Sequence, residues 1–338
     1  MEEKRVRISD IADELGLSTA TVSNVLHGKT KKVSDETVKR VQALLEERQY
    51  IPSMAGILLA QNNSRIIGVI INDHEKYEGH VLEDAFIASS LNELSEEIEK
   101  NDLFMMVKKT KEPKEIIKYA SMWNMDGLVL IGFCDQDYEY LRTHMRIPFV
   151  VYDGYCDKVE GICNITIDNY DGGVQVGNYF SKCGYDRVLC ITDNLLCGDK
   201  ERYEGFSHGF SGSDADVLIV PMQKTERLEF YKKHIEKIRS YQGVFAVSDQ
   251  YAIEFMQYVL SCGILVPEQM AVVGFDDTPI CEMITPQLSS VCQNLSLRAH
   301  EAIKNIKILK ESPDMDRKIK LPVSLVKRES SIFSLNTR

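Results

Sequence analysis

The chain has no cysteine before Cys134; all nine of its cysteines fall between there and Cys292, and no two form a C-x-x-C pair. That spacing and the odd count exclude a zinc ribbon and a fully paired disulfide framework, so reduced and mostly buried thiols are expected. Long apolar runs are missing too. The richest, at 65–71, is strand-sized and far short of the ~20 residues that span a bilayer. The N-terminus puts Glu2, Glu3, Lys4 and Arg5 where a signal peptide would place its apolar core. A cytoplasmic location is therefore the expectation, with no membrane partner. There is no P-loop, no dinucleotide glycine fingerprint and no H-E-x-x-H zinc helix, and no serine is expected on a nucleophile elbow. His74 and His80, with Glu75 and Glu78, lack the spacing of metal ligands. Neither an enzyme nor a cofactor is expected.

What is present is ordinary globular material: 338 residues, 44% hydrophobic and 27% charged, enough for a small domain and a large one. The net charge of −11 argues against a nucleic-acid partner only until its distribution is seen. Residues 1–60 hold nine basic and nine acidic residues, whereas the rest hold 31 and 42. A neutral head with local cations precedes an acidic body, an arrangement that repels DNA from the body while the head docks.

The head reads as three short helices. Ile8, Ile11, Ala12 and Leu15 keep helical spacing. Gly16 suits the left-handed position that ends such a helix, and Ser18 is a good N-cap for the next. In that second helix Val22, Val25 and Leu26 share one face, while Thr19, Ala20, Ser23, Asn24 and His27 share the other. Small polar residues let a helix sit deep in the major groove, where hydroxyls and amides reach phosphates and base edges. A third helix is expected from the Ser34 cap through Val38, Val41, Leu44 and Leu45 to Tyr50. This is the helix-turn-helix plan, although a plain three-helix bundle shares the local pattern.

The spaced residues decide between the two. Asp10-Ile11-Ala12, Gly16, Ser18, Thr21-Val22-Ser23, Val25-Leu26, Lys32-Val33-Ser34, Glu36-Thr37 and Tyr50-Ile51-Pro52 together resemble the signature of the lac repressor (LacI/GalR) family of bacterial regulators. The resemblance implies operator DNA as a partner. It places Thr19, Ala20 and Asn24 where the family reads bases, and Thr21, Ser23 and His27 where it holds phosphates. On physical grounds Arg7, Lys29, Lys31 and Lys32 are further phosphate partners, with a solvated loop as the alternative for the lysines. The resemblance also implies a hinge helix at 53–62 after a head at 1–52, with Leu59 as the wedge into the minor groove. Gly56, Ile57 and Ala60 depart from the alanine, arginine and lysine usual there.

In residues 63–338, Val/Ile-rich runs alternate with helical stretches. Strands are expected at 66–71, 103–107, 127–131, 148–152, 165–167, 188–191, 217–220, 243–247, 270–275, 289–291 and 323–326, and helices at 84–100, 170–182, 225–239 and 250–262. Such alternation means parallel sheets covered by helices, and eleven strands suit two lobes. Ligands of these sheets sit beyond the carboxyl ends of strands. Several expected strands end on polar groups: Asn72 and Asp73, Asp153, Ser248 and Asp249, Asp276 and Asp277. They suit a polyhydroxylated or heterocyclic ligand; capping of the following helix is the competing role for each.

The body is similar to the type I, two-lobed periplasmic-binding-protein-like domains of the same family. Its landmarks are Asp168 to Gly173, Arg202 to Phe206, Ser248-Asp249-Gln250, Val273 to Asp277 and Leu321 to Arg328. The resemblance implies lobes at 63–160 plus 294–320 and at 161–293 plus 321–338. It implies effector contacts from Asn72, Asp153, Asp168, Arg202, Ser248 and Asp276. Ser248 stands where relatives carry a longer side chain, and Tyr77 and Tyr155 are candidates to stack on a ligand ring. The expected molecule is a repressor and a homodimer: the few residues after Arg328 leave no room for a C-terminal bundle. Its effector is expected to be a sugar or sugar derivative, with a nucleoside or purine as the other ligand class. A sugar-transport protein and a regulator fused to a sugar enzyme are the alternatives from other classes.

Overall fold

The computed structural model describes residues 6–51, 64–154, 156, 161–212, 214–313 and 316–332. The chain divides into two compact units, Met1–Ser64 and Arg65–Arg338.

In the first unit, helices α1 (Ile8–Leu15), α2 (Thr19–Leu26) and α3 (Asp35–Glu47) close on a core of Ile11, Ala12, Val22, Val25, Val41 and Leu44. Gly16 ends α1 at φ 64, and the Leu17 amide donates to the Ala12 carbonyl at 2.9 Å. This turn fixes the angle at which α2 leaves α1. Ser18 and Ser34 cap α2 and α3, accepting from the Thr21 and Thr37 amides. The third helix stops at Glu47, short of Tyr50: Gln49 turns left-handed at φ 47 and the Tyr50 amide returns to the Leu45 carbonyl at 2.9 Å. The tail of the apolar pattern thus packs from a closing turn.

The second unit holds two six-stranded sheets. The first has the order β11-β5-β4-β3-β1-β2, built from β1 (Ile66–Ile71), β2 (Phe104–Lys109), β3 (Gly127–Ile131), β4 (Phe149–Asp153), β5 (Cys163–Ile167) and β11 (Arg317–Leu321). The second has the order β12-β10-β9-β8-β6-β7, from β6 (Arg187–Thr192), β7 (Asp214–Ile219), β8 (Gly243–Ala246), β9 (Ala271–Asp276), β10 (Ser289–Gln293) and β12 (Val323–Val326). The two orders follow one plan. Its switch points fall between β1 and β3 and between β6 and β8, where doubly wound sheets open a crevice. Every residue of β1 is buried, as a central strand covered on both faces requires.

Strand β5 corrects the expected lobe boundary. It pairs with β4 and β11 in the first sheet, so residues 163–167 belong to the first lobe and not the second. The chain crosses at Asp168, which caps helix α7 (Asn169–Lys182). It returns after β10 through helix α12 (Leu295–Glu311), which packs on helix α4 (Ala85–Lys100) and on β4. The last crossing is the single residue Pro322 between β11 and β12.

That short crossing explains a second departure. β12 runs antiparallel to β10, whereas every other pairing is parallel. A strand that leaves one sheet at its carboxyl edge and enters the facing sheet after one residue must start at that sheet's carboxyl edge, and so it runs backwards. Strand β11 was not expected at all. Its sequence Arg-Lys-Ile-Lys-Leu alternates in exposure, as an edge strand with lysines on its outer face does.

Candidate nucleic-acid interface and ligand cleft

Thr19, Ala20 and Asn24 are exposed on α2, and Ser23 and His27 are half-buried beside them. Their opposite face carries the buried Val22 and Val25. The Thr21 hydroxyl lies 2.9 Å from the Ser18 hydroxyl, so it serves the cap as well as facing out. Arg7 precedes α1 with its side chain exposed, while its amide donates to Asp10 Oδ2 at 2.8 Å. Lys29, Lys31 and Lys32 are exposed in the turn between α2 and α3. The hinge at 53–62 with Gly56, Ile57, Leu59 and Ala60 lies outside the described residues, as does Tyr155.

In the body the strand-end residues fall into one connected polar system. Arg202, on helix α8 (Cys197–Gly209), donates from Nε to Asn169 Oδ1 at 2.9 Å and from Nη1 to the Val247 carbonyl at 2.5 Å. Its guanidinium lies 3.7 Å from the centre of the Phe275 ring and stands between Asp199 and Asp276, at 3.9 and 4.0 Å. Asp276 accepts from Gln293 Nε2 at 2.6 Å. Arg298 on α12 donates to Gln293 Oε1 at 2.9 Å and to Asp153 Oδ1 at 3.3 Å. The series Arg202, Asp276, Gln293, Arg298, Asp153 thus runs from the second lobe into the first.

Asn72 stands at the first switch point, donating from Nδ2 to the Gly132 carbonyl at 2.8 Å. Ser248 caps helix α10 (Asp249–Ser261), and Asp168 caps α7 while pairing with Lys320 at 2.9 Å. For these two the capping role is real. Tyr77 is half-buried in the turn Glu75–Tyr77, and burial pushes its hydroxyl up to about 12.

The position of Arg202 depends on an unusually close crossing of α7 and α8. A Cβ on Gly173 would stand 2.1 Å from the Arg202 carbonyl oxygen, and one on Gly205 2.0 Å from that of Tyr170. Only glycine lets the two backbones meet this way. The same run contains the letters G-x-S-x-G, Gly205 to Gly209, contrary to the expectation that no serine sits in that pattern. They lie inside α8, without the strand-to-helix turn that exposes a nucleophile.

Charge in the cleft is dominated by carboxylates. Burial pushes Asp276 well above the usual carboxylate range, against the pull of Arg202. Asp199 is raised by burial too, opposed by Arg202 and Lys76. Asn194 Nδ2 joins Asp193 and Asp199 at 2.7 and 3.2 Å, and Tyr251 Oη donates to Asp193 at 2.8 Å. Lys76 faces this cluster: burial works to lower its pKa, but Tyr77, Asp199 and Asp193 outweigh that and raise it. Gln293, Arg298, Asp193, Asp199 and Lys76 were missed from the sequence. Asp193 and Gln293 obey the same strand-end rule that found Asp153 and Asp276; Arg298 carries no such signal.

A helix-turn-helix unit together with a two-lobed α/β body whose polar cleft opens at the switch points defines a ligand-responsive DNA-binding protein. Residues 7–53 match the profile of the bacterial regulatory proteins of the lacI family, and residues 178–331 match that of the periplasmic binding protein-like domain. The head thus carries the DNA-binding domain of the lacI family, and the curated proteins that the chain resembles are transcriptional regulators rather than enzymes. Over 350 residues it is 25% identical to the HTH-type transcriptional regulator DegA of Bacillus subtilis, covering 98% of this chain and 100% of that one. The lac repressor dimer bound to operator and the anti-inducer ONPF shares the fold, with a TM-score of 0.83 at 20% identity, covering 98% of this chain and 100% of that one. A LacI family regulator from Enterococcus faecium with bound ribose aligns with a TM-score of 0.67 at 18% identity, over 79% of this chain and 98% of its own. Among the described residues no helix is long and apolar enough to cross a membrane.

Proposed function

We propose that the protein is a cytoplasmic, homodimeric repressor whose hold on a pseudo-palindromic operator is set by a sugar or sugar derivative bound between the lobes. Thr19, Ala20 and Asn24 read bases; Arg7, Thr21, Ser23, His27, Lys29, Lys31 and Lys32 hold phosphates; Leu59 wedges the minor groove from the 53–62 hinge. Asn72, Asp153, Arg202, Ser248 and Asp276 contact the effector, with Asp168 at the crossing. The observation that carries the effector class is the alternation of two carboxylates with two guanidinium forks, Asp276 beside Arg202 and Asp153 beside Arg298, since carboxylates and guanidinium together bind vicinal hydroxyls. The relative with bound ribose supports it. Two aromatic faces beside these residues are already covered, Phe275 by Arg202 and Tyr152 by Arg298 at 4.7 Å, which counts against a stacked purine there.

The effector's contacts with both lobes shift their arrangement and so change the operator affinity, a coupling of about 1–3 kcal/mol that is reciprocal. A thermal-shift screen with monosaccharides, nucleosides and purines tests the class. A sugar should raise the melting temperature of the native chain and leave Arg202→Ala unchanged. Stabilisation by a purine alone overturns the sugar assignment.

A further inference from the structure

The three crossings of the chain lie at one edge of the sheets, beside β5 and β11 in the first lobe and β10 and β12 in the second. The opposite edges are β2 and β7. Residues 74–80 leave the carboxyl end of β1, the neighbour of β2. Helix α9 (Lys224–Ile238) follows the carboxyl end of β7. Far from the crossings the two meet across the mouth of the cleft: the Lys224 amide donates to Glu78 Oε1 at 3.4 Å.

Both sides are built for this contact. Lys224 is the first residue of α9, so its amide has no partner within the helix, and the N-cap residue Gln223 supplies no side-chain bond. A carboxylate from the other lobe fills that need and gains from the helix dipole as well. On the first lobe, Lys109 at the end of β2 ties down both ends of the segment: its Nζ donates to the Gly79 carbonyl at 2.6 Å and pairs with Asp73 at 3.3 Å. Inside the segment the Lys76 amide donates to His74 Nδ1 at 3.2 Å, and the His80 amide to the Tyr77 carbonyl at 2.7 Å. Glu78 itself is held left-handed at φ 49, ahead of Gly79 at φ 85. A glutamate rarely adopts that conformation, whereas a glycine adopts it freely. The strain thus sits at the residue whose side chain reaches the second lobe.

We propose that residues 74–80 are a strap across the end of the cleft farthest from the crossings, and that the bond from the Lys224 amide to Glu78 is its fastening. The proposal rests on the reading of this cleft as the effector site and assigns the control of access to it. A contact at the edge opposite the crossings has the longest lever on the lobes, so a modest bond there biases closure more than the same bond beside the crossings would. An effector entering at this end parts the strap from α9, and one leaving does so again. The chain without ligand holds this end shut by a contact of its own, so closure here is a state the effector selects rather than one it creates. Breaking the fastening shifts the balance towards the open strap by about two- to fivefold, the range of a carboxylate at an exposed helix N-terminus.

The test is amide hydrogen exchange, resolved by residue, on the full chain without ligand, so its outcome does not depend on which effector the cleft takes. The Lys224 amide should be protected in the native chain. Glu78→Asn keeps the left-handed turn, which asparagine tolerates, but shortens the reach. Lys224→Pro deletes the donor and suits the first position of a helix, since Gln223 before it is already extended at ψ 132. Each variant should speed exchange at the Tyr77 and His80 amides about two- to fivefold, and Glu78→Asn should do the same at Lys224. The double variant should go no further than either single one. Lys224→Ala, which keeps the amide, should match the native chain, and amides within β6 should not change in any variant. An unprotected Lys224 amide in the native chain, native exchange in the strap of Lys224→Pro, additive effects in the double variant, or acceleration that spreads through β6 would each overturn the proposal. A sugar that still binds a chain whose strap fails this test leaves the effector reading standing and removes the strap alone.

Discussion

Arg298 holds the carboxylate of Asp153 at 3.3 Å with a side chain that is only 2% exposed. The arginine belongs to the first lobe by its helix, yet its other nitrogen reaches Gln293 at the end of the second sheet. One guanidinium therefore spans the crossing at which the lobes meet, and its planar fork is what permits two partners at once.

Replacing Arg298 with methionine keeps the bulk but leaves Gln293 Oε1 and the Ile165 carbonyl without a donor. Unfolding in urea should show a loss of about 2–3 kcal/mol. Arg298→Lys should recover little of it, because a single ammonium cannot reach both sites. A native-like midpoint for either variant would mean that the bridge contributes nothing to the body's stability.

The α7–α8 crossing gives a sharper steric case. Gly205→Ala puts a methyl 2.0 Å from a backbone oxygen that cannot rotate away, so the helices must separate. We expect a cost of about 2–3 kcal/mol and weaker effector binding than the stability loss alone would give, since Arg202 rides on the displaced helix. Calorimetric titration of the screened effector, run below the melting transition, checks the second part.

Much of this was legible in the sequence, for identifiable reasons. The head's three helices follow from Gly16, Ser18 and Ser34, whose conformational and capping preferences act locally. The central strands follow from uninterrupted Val/Ile runs such as β1. The lobe to which β5 belongs was not legible, because pairing with β4 is a long-range choice that Cys163–Ile167 does not encode. β11 was hidden by its alternating lysines, and the reversal of β12 follows from the geometry of one connecting residue. In the cleft, Asp153, Arg202 and Asp276 were found by strand-end position and resemblance. Arg298 escaped because it lies one turn into a helix, and only the packed structure turns it towards Asp153.

Asn24 is exposed on α2, so truncating it tests base reading without disturbing the head's core. With an operator selected from a random-sequence pool, Asn24→Ala should lose about 1–3 kcal/mol of binding and relax specificity at one base pair. Lys29→Ala should instead weaken all sequences alike and reduce the salt dependence by about one ion. A titration in which Asn24→Ala binds like the native chain would remove that residue from the reading face.

Asp249 carries a pH prediction with a definite sign. Its carboxylate is buried and accepts from the Thr278 amide at 2.8 Å, the Ser290 hydroxyl at 2.5 Å and the Cys281 thiol at 3.1 Å. Burial outweighs these bonds and pushes it up to about 6. The folded state then holds a proton that the unfolded chain, with an ordinary aspartate near pH 4, has already released. Stability from this group is full below pH 4, falls as pH rises to about 6, and is level above it, a total of about 3 kcal/mol at most. Asp249→Asn cannot titrate. The difference in unfolding free energy, native minus variant, should therefore decrease between pH 4 and pH 6 and stay constant from pH 7 to pH 8. A difference that is flat across the lower window, or that rises, would place the ionisation of Asp249 at an ordinary aspartate pH.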